Sequence, residues 1–93
     1  MYPNYLLSQL ATVYECILLL LAAGYINAAN EYLAVLDSRP FIRMPQTVPE
    51  YYEALIVAAE IIKSIRDTTA QYPELKRVSQ RASAPPKWRE LPQ

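Results

Sequence analysis

The 93-residue sequence contains no histidine, one cysteine and one glycine. Histidine is the commonest general base at neutral pH and the commonest neutral metal ligand. A single cysteine, Cys16, supplies neither a zinc site, nor a Cys-His nucleophile, nor an internal disulfide. One glycine is too few for a glycine-rich phosphate-binding loop. These absences argue against an enzyme, and we expect no cofactor and no metal site.

Net charge is also missing, because nine Lys and Arg balance nine Asp and Glu. Without an overall field, neither nucleic acid nor an anionic membrane is a favoured partner. The single cysteine lies among apolar residues, which favours a buried thiol in a reducing compartment. A secretory signal requires Lys or Arg before its apolar stretch, and none precedes the first apolar stretch of this chain. The sequence therefore favours a cytoplasmic protein.

Apolar residues are abundant: 53% of the chain is hydrophobic, and eight residues are tyrosine. A chain of this length forms one domain at most and buries only about 60 to 65% of the surface that it would expose when unfolded. The apolar content exceeds what one small core readily absorbs. The surplus predicts that part of the apolar surface packs against a partner protein or a second copy of the chain.

Two segments at the N-terminal end predict an antiparallel helical hairpin. Residues 4–23 are mostly apolar, and Gly24 follows where a left-handed C-cap is needed. The polar side chains of the first helix are four, four and three residues apart, so they line one stripe: Asn4, Ser8, Thr12 and Glu15. Residues 26–38 form a two-faced second helix. The short link at Gly24 reaches only an adjacent, antiparallel helix.

A third long helix follows a capping box, in which Thr47 and Glu50 each bond the other's backbone amide. This helix should last to about Gln71. Beyond it, residues 73–93 are rich in Pro and basic side chains, and they allow only a short helical turn before an extended arm. The predicted fold is all-α: an antiparallel helical hairpin plus a third long helix form one domain over residues 1–72, with a Pro-rich basic C-terminal arm over 73–93.

Candidate partner-binding residues lie on the helix faces that have no obvious cover. No polar residue interrupts positions 16–23, and the apolar face of the third helix, from Tyr51 to Ile65, is wider than one neighbouring helix covers. Tyrosine suits the edge of an interface, although it suits the edge of an intramolecular core equally. The predicted partner-binding residues are Leu18, Leu19, Leu21, Tyr25, Tyr51, Tyr52, Ile56 and Trp88.

Two side chains have alternative interpretations. Glu15 sits among apolar neighbours, so it is either a carboxylate on the helix surface or facing a partner, or a buried one bonded to a tyrosine. Trp88 lies between Lys87 and Arg89 after two prolines. It could dock onto this chain's own helices, dock onto a partner, or have no fixed position.

The segment LLLLAAGYINAANEYLAVLDSRP, residues 18–40, resembles the helix-turn-helix of a tetratricopeptide repeat. The matching positions are Gly24 at the turn, Ala29 and Leu33 in the second helix, and Pro40 near the end. Such repeats need neighbours to bury their faces. The resemblance implies kinship with small secretion chaperones, which shelter a helical subunit in an apolar groove.

The leading hypothesis is a non-enzymatic protein–protein interaction module, chaperone-like or an adaptor, that packs apolar helix faces against itself as a homo-oligomer or against a partner helix. The alternative is a small membrane-associated protein that inserts its first helix. Residues 5–26 are long enough to span a bilayer, but four polar residues fall inside and no basic residue flanks them. Nucleic-acid contact by the basic arm, with Trp88 stacking on a base, is opposed by the acidic body.

Overall fold

The structure is a computed structural model, and it describes residues 3–38 and 40–84. These residues form α1 (Pro3–Ala22), α2 (Ile26–Leu36), α3 (Val48–Thr69), a 3-10 turn (Pro73–Leu75) and α4 (Lys76–Ala82). Neither described range contains a strand. The predicted all-α fold, with a helical hairpin followed by a long third helix, is confirmed.

The turn between α1 and α2 depends on Gly24, whose φ is 89°, a backbone conformation that strains a residue with a Cβ. The N–H of Gly24 donates to the Leu21 carbonyl at 3.0 Å, and the N–H of Tyr25 donates to the Leu20 carbonyl at 2.9 Å. This pair of bonds is the Schellman motif, which satisfies carbonyls at the end of a helix. The chain reverses here, and α2 packs against α1.

The start of α3 has the predicted capping box. The Glu50 N–H donates to Thr47 Oγ1 at 3.2 Å, and Glu50 Oε1 accepts the N–H groups of Gln46 at 3.0 Å and Thr47 at 3.1 Å. These bonds hold the pKa of Glu50 below its usual value, and the bond from the Gln46 amide has the largest effect. The cap therefore fixes the start of α3 at Val48.

The main core lies where α1 meets the other three helices. On α1, Leu6, Val13, Cys16, Ile17 and Leu20 are buried. On α3, the buried residues are three or four positions apart and form one face: Tyr51, Ala54, Ala58, Ile61, Ile65 and Thr69. Most of the predicted wide face of the third helix therefore packs inside the protein, whereas its polar residues Glu53, Glu60, Ser64, Asp67 and Gln71 are exposed.

The segment after Tyr72 contains a fourth helix, whereas the sequence predicts only a short helical turn there. Leu75, Val78 and Ala82 are buried, and α4 packs against both α1 and α3. A seven-residue helix is too short to be stable alone, so these tertiary contacts hold it in place. Residues 73–84 of the predicted arm thus belong to the packed body, and residues 85–93 lie outside the described residues.

Candidate protein-binding surface

An apolar stripe runs along the solvent side of α1. It consists of Leu7, Ala11, Tyr14, Leu18 and Leu21, all of which are exposed; the exposed fraction of the four large residues runs from 39% at Leu21 to 64% at Leu18. Successive members are four, three, four and three residues apart, the heptad spacing that places side chains on one face of a helix and forms the seam of a coiled coil. We call this surface the α1 stripe.

The opposite side of α1 carries much of its polarity. Ser8, Gln9 and Thr12 line a groove of about 310 Å³, and Lys63 and Arg66 of α3 are also among the residues that line it. Thr12 Oγ1 donates to the Ser8 carbonyl at 3.2 Å. Ser8 and Thr12 of the predicted polar stripe therefore line this groove, while an apolar face of α1 is exposed to solvent. A usual surface helix has one apolar face, which is buried, whereas α1 has a second apolar face that is exposed.

An ion pair lies beside the α1 stripe. Arg81 of α4 donates from Nε to Glu15 Oε2 at 2.8 Å and from Nη2 to Glu15 Oε1 at 2.9 Å, a bidentate arrangement. The bond to Glu15 raises the pKa of Arg81 further above its usual value. The Glu15 side chain is half-exposed, which fits the surface interpretation of this residue rather than the buried one. The pair joins the N-terminal helix to α4.

Four predicted partner-binding residues lie at the end of α1 and the turn after it. Leu18 and Leu21 belong to the α1 stripe. Leu19 is half-buried and packs against the core. Tyr25 is also half-buried, and its hydroxyl donates to Glu74 Oε2; this bond raises the pKa of Tyr25 and lowers that of Glu74. Leu19 and Tyr25 therefore contribute to the chain's own packing, and the two leucines face solvent.

On α3 the two adjacent tyrosines have opposite environments. Tyr51 is only 4% exposed and packs in a cluster with Leu6, Ala54 and Ala58, and its burial raises its pKa. It is a core residue, which corrects its assignment to a partner-binding face. Tyr52 and Ile56, by contrast, are exposed. Successive residues of a helix point about 100° apart, so one neighbour faces the core and the other solvent.

Sequence reasoning missed Leu7, Ala11 and Tyr14. The signal was present, because these residues share one heptad spacing with Leu18 and Leu21. The residues on the buried side, however, have the same spacing one position earlier: Leu6, Leu10, Val13, Ile17 and Leu20. In a nearly all-apolar helix the pattern alone does not say which face is covered. The remaining predicted residue, Trp88, lies outside the described residues.

The thiol of Cys16 is fully buried, and its Sγ–H points to the Val78 carbonyl at 3.9 Å. Burial raises the pKa of this thiol to about 11. A protonated, inaccessible thiol is a poor nucleophile. Within residues 3–38 and 40–84, no group of three or more Cys, Asp or Glu side chains is placed to hold a metal ion. The exposed apolar surface is therefore the feature of the described chain that most requires a functional explanation.

By length and composition, α1 is the one described helix that could cross a membrane. Its Tyr5–Ala22 window has a mean hydropathy of 1.7, and 33% of the window is buried inside the fold. The core helix of a globular protein passes the same test, so the property does not distinguish a bilayer from a protein as the cover of α1.

Comparison of this chain with family models, curated proteins and solved structures finds no match. The resemblance of residues 18–40 to a tetratricopeptide hairpin therefore stays a prediction.

Proposed function

We propose that this protein is a non-enzymatic interaction module, an adaptor or chaperone-like protein, that binds a helix along the α1 stripe. The observation that carries the proposal is the exposure of five apolar residues at heptad spacing on one helix face. Single exposed apolar side chains are ordinary on protein surfaces, whereas a continuous row of them is typical of a surface that binds a partner.

The spacing indicates the shape of the partner. A stripe with an average repeat of 3.5 residues matches a second helix that crosses α1 at about 20°, with side chains of each helix filling the gaps of the other. A strand or a loop does not present side chains at this repeat. The proposed partner is therefore an amphipathic helix whose own apolar stripe is about 21 Å long, the distance from Leu7 to Leu21 at 1.5 Å per residue.

The chemistry of the stripe agrees with this partner. Glu15 is the only charged residue in α1, and it lies beside the stripe in its pair with Arg81. The centres of protein interfaces are depleted in charge and enriched in tyrosine, and Tyr14 occupies the middle of the stripe. Apolar contacts along the stripe thus supply binding energy, and the ion pair beside it supplies a polar rim.

Site-specific photo-crosslinking tests the proposal. A benzophenone amino acid replaces Leu18 in one variant and Glu31, an exposed residue on the polar side of α2, in the control. We expect discrete adducts from position 18, either in the purified protein or in an extract of the cells that make it, and few from position 31. If position 18 gives no more adduct than position 31 in both samples, the α1 stripe is not a binding surface.

Membrane association is the second candidate, and the length and hydropathy of α1 favour it. Full insertion would require α1 to leave α3 and α4 and to break the bond between Glu15 and Arg81, so contact of the stripe with the bilayer surface is the form that keeps the fold. Flotation with phosphatidylcholine vesicles tests it. Wild-type protein that floats, while Leu18→Glu stays in the lower fraction, would support this candidate; wild-type protein that does not float rules it out.

A further inference from the structure

We infer that the helix that covers the α1 stripe is the α1 of a second copy, packed antiparallel about a two-fold axis. This inference rests on the proposed function and names its partner. In the register we propose, Leu18 faces Tyr14 of the second copy, and Ala11 faces Leu21 of the second copy. The two-fold axis then lies level with position 16 along α1, midway between both pairs, although the Cys16 side chain itself faces the core.

Side-chain size favours this register. In an antiparallel pair of helices, each seam residue of one copy lies level with a residue of the alternate seam position in the other copy. Here the smallest member, Ala11, meets the larger Leu21, and the aromatic Tyr14 meets Leu18. A parallel pair would instead place Ala11 against Ala11 and leave a gap, and it would place the two Tyr14 rings against each other. Gaps in a packed interface lose contacts, so the antiparallel pair fills space better.

Charge also favours a second copy as the partner. Both surfaces are the same uncharged stripe, so no unpaired charge is buried at the seam. In the proposed register the two Glu15 side chains lie on one rim, about 3 Å apart along the helix axis at 1.5 Å per residue. Two like charges there would repel, but each copy already pairs Glu15 with its own Arg81. Arg81 has five N–H donors, and Glu15 uses two of them, so the two pairs can join in one alternating network.

The size of the stripe limits the strength of the dimer. Standard stable interfaces use about 20 to 30 residues on each side, whereas the proposed register pairs four residues of the α1 stripe in each copy. We therefore expect a dimer that dissociates on dilution, with a dissociation constant on the order of micromolar, rather than a permanent one.

Disulfide trapping tests the orientation and the register. In a Cys16→Ala background, Ala11→Cys carrying an affinity tag is mixed with untagged Leu21→Cys in a glutathione redox buffer. The proposed register brings positions 11 and 21 of different copies level, while each position lies about 15 Å along the axis from its own counterpart, too far for a disulfide. We expect at least tenfold more mixed disulfide than either symmetric one. Symmetric disulfides in excess would establish a parallel pair and overturn the inference.

Sedimentation equilibrium of the unmodified protein separates this inference from the proposed function. We expect self-association that Leu18→Gln weakens at least tenfold and that the matched surface change Glu31→Gln leaves unaltered. A wild-type chain that stays monomeric at all concentrations overturns the inference of a second copy. If crosslinker at position 18 then traps a different protein, the proposed function survives; if it traps nothing, both proposals fail.

Discussion

Labelling of Cys16 should report how firmly α4 is docked. The thiol has no exposed surface, and the Val78 carbonyl of α4 lies 3.9 Å from its Sγ. While α4 covers Cys16, a pKa of about 11 leaves only about 0.1% of the thiol ionised at pH 8. A thiol with the ordinary pKa of 9.0 would be about 10% ionised at that pH. A thiol reagent therefore reacts almost wholly through molecules in which α4 has moved away from α1.

The perturbation is Val78→Ala, which removes two buried methyl groups from α4. The loss of about 0.8 kcal/mol for each group, with a small cavity term, lowers the free energy of opening by about 2 kcal/mol. At 1.36 kcal/mol for each factor of ten, the open fraction rises roughly 30-fold. The turn and α4 together have only three buried residues. Val78→Ala therefore removes a large part of the apolar contact that holds α4 against the rest of the protein.

The assay follows the absorbance of an aromatic disulfide reagent at pH 8, with the protein unfolded in guanidinium chloride as the reference rate. We expect wild-type Cys16 to react far more slowly than the reference, and Val78→Ala to react about 30-fold faster than wild type. Gln80→Ala, an exposed change on the same helix, should stay within about threefold. Equal rates for the Val78 and Gln80 variants would show that α4 does not cover Cys16, and our account of the core would be wrong.

Three further predictions concern polar contacts. Thr47→Ala should lower the free energy of unfolding by about 1 kcal/mol in urea, while Thr47→Ser keeps most of the cap. Folding lowers the pKa of Glu50, so Glu50 stabilises the protein at pH values above its unfolded pKa, near 4.5, and this contribution is lost as the pH falls through the lower folded value. The difference in the free energy of unfolding between wild type and Glu50→Gln should therefore disappear in acid. A difference that persists in acid would contradict the cap. A double-mutant cycle of Glu15→Gln and Arg81→Gln should give a coupling of about 0.5 to 1 kcal/mol that weakens in high salt; zero coupling at low salt would mean that the bidentate pair is not formed in solution.

The sequence by itself determined where α1 ends and where α3 begins. Gly24 stops α1 because only glycine tolerates its backbone conformation, and the capping box of Thr47 and Glu50 starts α3 because both bonds lie within four residues of chain. These are local interactions, so the residues that make them are neighbours in the sequence. The number and order of the first three helices follow from such signals, and so does the turn that makes α1 and α2 a hairpin.

Only the tertiary structure decided which face of α1 is covered. The set that begins at Leu6 and the set that begins at Leu7 have the same heptad spacing, and they are offset by one residue, or about 100° around the helix. The presence of α3 and α4 on one side buries the first set and leaves the second exposed. The same contacts create α4, whose seven residues carry too weak a local signal to fold alone. Burial is a property of what lies opposite a side chain, and a single helix does not encode it.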